Sequence, residues 1–327
     1  MKPAFSVILL TTLIGLGQGL FLALFTAQSY ALFDLLPKQD GRAFYAYGSL
    51  LALALLVAGL AASFFHLGRP ERAWRSAAQW RTSWLSREVI VLPAFMAAVL
   101  LYGVFHWRGS PAVLTVLPGG ITIDVTVVLG IIGTLLAFLL FVCTGMIYAC
   151  MRFLAEWHSP LTVINYILLG GASGFTLAAG YASLAAPELT GFFGGWAVII
   201  TLLGLTGRAA SLRRNARLVP KSSLQTAIGI KHPKIAQKSQ GFMTGSFNTR
   251  EFFHGRTRVF FFAIKWFFLL AAFVLPAGLL ALALASAAAV PWLAAAFLVQ
   301  YCGLLAERWF FFAQANHPQN LYYQAVS

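Results

Sequence analysis

Of the 327 residues, 60% are hydrophobic and only 10% are charged, with 23 Lys and Arg against 9 Asp and Glu. Soluble domains carry about 25% charged residues, so this composition excludes a water-soluble fold. The net charge of +14 requires no nucleic acid, because basic loops at a membrane surface meet anionic lipid.

A membrane-crossing helix needs about 20 apolar residues. In chain order the sequence offers eight such runs: 5–33, 43–65, 89–107, 125–150, 163–184, 192–210, 259–284 and 291–312. The first follows Met1 and Lys2 but stays uncharged too long for the apolar core of a cleaved signal, so it reads as a retained span. Small residues and Pro291 separate the last two runs. The runs are continuous rather than alternating, and backbone groups in lipid must be satisfied within the segment, so helices are predicted rather than a barrel. The predicted fold is all-α: one integral membrane domain over 1–327, a polytopic bundle of eight transmembrane helices.

Eight crossings put both termini on one side. Nineteen of the 23 basic residues fall on that side and three on the other. Lys265 lies just inside the seventh run. The positive-inside rule then places the termini and the even-numbered loops in the cytoplasm. The connections on the opposite side, 34–42, 108–124, 185–191 and 285–290, are too short to fold as domains. The 211–258 loop is longer and basic. Within it, 241–254 carries Phe242, Met243, Phe247, Phe252 and Phe253 outside any run. Aromatics beside basic residues read as a docking segment for a soluble partner, or as side chains resting in the lipid interface. A faint internal repeat relates Ile14-Gly15-Leu16-Gly17 to Leu168-Leu169-Gly170-Gly171, and so the first four spans to the last four.

Chemistry concentrates in the second loop. Its sequence from the end of one apolar run to the start of the next is FFHLGRPERAWRSAAQWRTSWLSREV, with His66 and Glu88 at either edge and Arg69, Arg72, Arg75, Arg81 and Arg87 between. An imidazole exchanges protons near neutral pH, and ionisable groups at membrane depth are costly and often functional. Together, His66 and Glu88 suit the two oxygens of a quinone, or the relay of its protons. Trp84, Ser86, Arg69 and Arg87 are candidates to line the same pocket. The plain alternatives are an interfacial histidine at a helix end and a carboxylate favoured by a helix dipole.

Other cofactor and function classes draw less support. The cysteines are Cys143, Cys150 and Cys302, all within runs; without a CxxC or a four-cysteine set, no iron–sulfur cluster is predicted in this chain. They read as buried thiols. None of the six histidines lies mid-span, so no haem is predicted. No Asp, Glu, Lys or Arg is central in a span. A transporter or proton-translocating reading therefore rests on Gln18 and Thr176.

Three separated motifs resemble the membrane anchor subunits of the dimethyl-sulfoxide-reductase family. They are Phe65-His66-Leu67-Gly68-Arg69-Pro70 with Ser86-Arg87-Glu88, Gly145-Met146-Ile147-Tyr148-Ala149 with Trp157-His158-Ser159-Pro160-Leu161-Thr162, and Ser246-Phe247-Asn248-Thr249-Arg250-Glu251-Phe252. The resemblance implies eight spans, no haem, and a quinone site (ubiquinone or menaquinone) in which the family's histidine and glutamate match His66 and Glu88. It further implies two partners: an iron–sulfur subunit with four clusters, and a catalytic subunit with a molybdenum cofactor. One departure is informative. In the dimethyl sulfoxide reductase anchor the site faces away from the cytoplasm, whereas the charge split here turns it inward. That is the pattern of the sulfite dehydrogenases of sulfur-oxidising bacteria, whose anchors this chain resembles. The implied role passes electrons from sulfite oxidation to the quinone pool in the bacterial inner membrane. The alternative is an anchor that oxidises quinol for a reductase of dimethyl sulfoxide, polysulfide or thiosulfate.

Overall fold

The computed structural model describes residues 1–109, 112–118, 120–220, 222–236 and 252–321. Among them are eight helices long and apolar enough to cross a membrane. The first six spans are α1 (Phe5–Leu32), α2 (Tyr47–Phe64), α3 (Trp84–Arg108), α4 (Val125–Ala149), α5 (Pro160–Ala185) and α6 (Thr190–Asn215). A short helix, α7 (Leu224–Ile228), follows. The seventh span joins α8 (Arg258–Leu269) to α9 (Leu275–Ala285), and the eighth is α10 (Ala289–Ala313).

Local sequence explains where these helices begin and end. The hydroxyl or carboxylate oxygens of Ser83, Asp124, Ser159 and Thr257 accept a backbone N–H in the first turn of α3, α4, α5 and α8, as N-cap residues do. Gly109 ends α3 at φ 67°, a left-handed position that glycine adopts without steric cost. Wide turns occupy Gly41–Ala46 and Leu270–Val274. The second lies against Gly303 of α10, where a side chain would run into the backbone of Ala271 and Ala272.

One element departs from the all-α expectation. The connection after α3 forms a small antiparallel hairpin, β1 (Val113–Leu117) with β2 (Ile121–Asp124), pairing Leu117 with Ile121. Its Val, Thr and Ile residues favour extended backbone, and Gly120 takes φ 80° at the turn.

The bundle is organised on α1 and α5. The most apolar stretches of these two helices are 72% and 67% buried, against 28–39% for the other six. They cross through glycine: a methyl group on Gly19 would meet the Gly170 carbonyl, and one on Gly174 would meet the Gly19 backbone. Small residues let transmembrane backbones approach in this way. The two segments of the faint repeat therefore face each other, with Gly15 beside Gly170. α2 packs on α1 as α6 packs on α5. The N-terminal amine bonds the Ala315 carbonyl at 2.9 Å, so the chain start and the end of α10 share one face, called here the terminal face.

Two readings of single residues change. Gln18 donates to the Ala137 carbonyl at 2.8 Å and Thr176 to Ala172 at 2.9 Å. Both are buried and hydrogen-bonded within the bundle. Of the cysteines only Cys143 is buried; Cys150 and Cys302 are exposed on the outside of the chain, where lipid tolerates a small apolar thiol.

Candidate functional site

The loop between α2 and α3 lies on the terminal face. It opens with His66, two residues past the end of α2, and continues as 3₁₀ turns over Pro70–Gln79. His66 is exposed, and its side chain has no hydrogen-bond partner among the described residues. Partial burial still holds its imidazole below the ordinary value of 6.5, because desolvation disfavours the charged ring.

Glu88 sits one turn inside α3 and faces the opposite way, into the bundle. It is buried, with 8% of its surface accessible. The hydroxyl of Thr144 on α4 donates to its Oε1. Glu88 forms no ion pair with His66 or any other cation among the described residues. A direct contact in which the carboxylate fixes the imidazole's tautomer is thus absent. What the fold supplies is an exposed titratable ring and a buried carboxylate at the two ends of one loop.

The other candidates divide. Ser86 is buried at 3%, one turn from its cap Ser83. Trp84 is half-buried, and the Arg87 guanidinium lies 4.2 Å over its ring. Arg87 also donates to the carbonyls of Trp80 at 2.9 Å and Arg81 at 2.7 Å, so it clamps the loop onto the start of α3. Arg69 is exposed. The structure brings Trp84, Ser86, Arg87 and Glu88 together on one helical turn and leaves Arg69 apart. Among the described residues, no group of three or more His, Cys, Asp or Glu is positioned to hold a metal ion.

Most of the docking block, 241–251, lies outside the described residues. Its end does not stand free. The Phe252 ring stacks on His317 at 4.2 Å, and His254 lies against Phe261 and Trp309.

A second polar centre lies inside two spans, built from residues whose arginines the sequence reading counted only toward the charge of the terminal face. Arg208, assigned by its position to the basic terminal face, is two turns inside α6 and 2% exposed. Glu307 and Arg308 of α10 are buried beside it. Arg208 Nε meets Glu307 Oε1 at 2.7 Å, and Arg308 Nε meets Oε2 at 2.6 Å. Aromatic rings cover the guanidinium faces: Tyr166 lies 4.3 Å from Arg308 and Phe268 5.5 Å from Arg208. Thr144 was equally invisible, since one hydroxyl in an apolar span ordinarily satisfies itself on its own helix. The adjacent Glu307-Arg308 pair inside a span was the available signal for the buried centre.

Comparison with known proteins agrees with this architecture. The chain is 57% identical to the C-subunit of sulfite dehydrogenase from Allochromatium vinosum over 328 aligned residues, covering all of both chains. A family model, "DMSO reductase anchor subunit (DmsC)", matches residues 1–314. A match over nearly the whole length fixes the fold, the membrane-anchor role and membership of a multi-subunit oxidoreductase together: this chain belongs to the DmsC family of DMSO reductase anchor subunits.

Proposed function

We propose that this chain is the quinone-reactive anchor of a sulfite dehydrogenase, passing electrons from sulfite oxidation to the quinone pool of a bacterial inner membrane. The observation that carries the reading is the full-length similarity to a sulfite dehydrogenase C-subunit, joined to a loop that presents His66 and Glu88 at its two ends. The partners are an iron–sulfur subunit of four clusters and a molybdenum catalytic subunit. They sit on the terminal face, which the 19-to-3 charge split puts in the cytoplasm. The basic loop following α6 contributes to their docking.

The chemistry divides between subunits. Sulfite and water give sulfate, two protons and two electrons at the molybdenum subunit. Quinone takes up two electrons and two protons at the anchor and leaves as quinol. Neutral His66 donates a hydrogen bond to one quinone oxygen as charge develops there, and gives up its N–H proton only as the other ring nitrogen takes one up from the cytoplasmic side. The buried Glu88 carboxyl serves the other oxygen, with Thr144 fixing the rotamer. Protons and electrons both enter from the cytoplasmic side, so turnover moves no net charge across the membrane.

The test is the purified complex in liposomes with a ubiquinone or menaquinone analogue. Sulfite addition reduces the quinone, and the catalytic and iron–sulfur subunits co-purify with this chain. A complex that instead oxidises quinol and ignores sulfite would move the assignment to a reductase anchor.

A further inference from the structure

We propose that Arg208 and Arg308 hold a single halide-sized anion in a buried site between α5, α6 and α10 at the terminal face. The inference is independent of the quinone reading. The first observation is a charge imbalance. Two guanidinium groups, 2% and 4% exposed, share one carboxylate. Glu307 uses one oxygen for each arginine, through Nε in both cases. One positive charge is left over in a protein interior surrounded by lipid, where an uncompensated ion is costly.

The second observation concerns the free edges of the two arginines. Arg208 Nη2 and Arg308 Nη1 are buried and have no hydrogen-bond partner among the described residues. Their guanidinium groups lie over the rings of Phe268, Phe310, Tyr166 and Phe311. The remaining donor directions are the ones a ligand can use.

The third observation is a cavity that both arginines line. Its volume is about 10 Å³, and Ser159, Thr162, Asn165 and Ser211 complete the wall. Ser159 accepts the Leu161 N–H at 3.2 Å, which leaves its hydroxyl hydrogen for a ligand. That volume matches about one water-sized sphere. Sulfate, phosphate and carboxylates are too large for it. Water fits but leaves the excess charge in place. A chloride answers both constraints with a small outward adjustment of Ser159, since the Thr162 and Ser211 hydroxyls already donate to the Trp157 and Gly207 carbonyls. Glu156 and Arg214 also line the cavity. Arg214 is already committed to the carbonyls of Ala155 and His158, so it does not compete for the anion.

The experiment uses the full chain, alone or with its partners, purified in detergent at constant ionic strength. Chloride is titrated against gluconate, which is too large for the cavity, and the thermal midpoint is recorded. The midpoint should rise with chloride and saturate as for one site, because a ligand that binds only the folded state stabilises it. Bromide should act alike and give an anomalous peak between Arg208 and Arg308. Ser211→Asp puts a fixed carboxylate at the cavity wall, and Arg208→Gln removes the excess charge. Both should abolish the halide response. A wild-type midpoint that ignores halide, or variants that respond as wild type does, overturns the proposal and leaves water as the occupant. If neither variant folds, the wild-type titration and the bromide peak decide alone.

Discussion

Glu88 of α3 accepts the hydroxyl hydrogen of Thr144 on α4, a contact between residues 56 apart in sequence. It anchors the only candidate site residue that is both acidic and buried. Removing the donor leaves a buried carboxyl oxygen unpaired, which costs about 1–3 kcal/mol. Thr144→Val should lower the thermal midpoint accordingly, and Thr144→Ser should restore most of it. Equal midpoints for Thr144→Val and wild type would show that the bond contributes nothing.

The quinone reading predicts a separation of activities. Loss of a positioned proton donor costs roughly 10²–10⁴ in rate. His66→Ala and Glu88→Gln should each lower sulfite–quinone turnover by that order. Turnover with a soluble dye that accepts electrons directly from the partner subunits should stay unchanged. If both variants reduce quinone at the wild-type rate, these two residues are interfacial helix ends and the quinone binds elsewhere.

A pH profile locates the histidine. Desolvation holds His66 below 6.5, which favours the neutral ring and moves its gain of charge to the acid side. Any titration limb due to His66 must then lie on the acid side of 6.5, with the neutral form dominant above it. His66→Gln should erase that limb from the quinone-linked rate and leave the dye-linked profile alone. A limb that persists in His66→Gln belongs to another group.

The helices were legible because lipid imposes length and continuity on each span; the eight runs and the eight helices differ mainly at their ends. Those ends decided the fate of Arg208. Arg208 already lies within the predicted run to 210, but no local cue shows that α6 continues past it to Asn215, since arginines follow. The neighbours of His66 and Glu88 were legible only in part. Trp84, Ser86 and Glu88 share the first turn of α3, which begins at Trp84, ahead of the apolar run that starts at 89. Thr144 joins them through the packing of α3 on α4, which no local pattern encodes. The hairpin after α3 is hidden because its strands are short and carry no run of apolar residues long enough to stand out beside the spans. The glycines of α1 and α5 show as a repeat, while their physical role, close approach of two backbones, needs the crossing itself.

That crossing makes a clean prediction. A methyl group on Gly174 would meet the Gly19 backbone, whereas one on Gly180, further along the same helix, has nothing within 4 Å. Overpacking of a tight site costs about 1–3 kcal/mol. Gly174→Ala should therefore reduce the folded yield and thermal midpoint, and Gly180→Ala should match or exceed wild type, because alanine favours helix by about 1 kcal/mol over glycine. Equal behaviour of the two variants would mean that α1 and α5 do not cross at Gly19 and Gly174.

The orientation rests on charge. A C-terminal fluorescent fusion should glow and a C-terminal alkaline phosphatase fusion should be inactive if the terminal face is cytoplasmic. Active phosphatase there would reverse the orientation and remove the ground for cytoplasmic partners.

The Arg208–Glu307–Arg308 centre predicts an asymmetry between breaking an ion network and replacing it. Glu307→Gln removes the one carboxylate that both buried guanidinium groups share. Breaking a buried pair in this way typically costs about 3–5 kcal/mol. Replacing all three side chains by apolar ones of similar volume, Arg208→Met with Glu307→Leu and Arg308→Met, removes the charges and their desolvation cost together, and such replacements are often neutral or stabilising. The triple variant should accordingly unfold at a higher temperature than Glu307→Gln, with thermal denaturation in detergent as the measurement. If the triple variant folds stably yet fails to hold its partner subunits, the network serves the terminal face rather than the stability of the bundle. If it unfolds as readily as Glu307→Gln, the ion network itself stabilises the packing of α6 against α10.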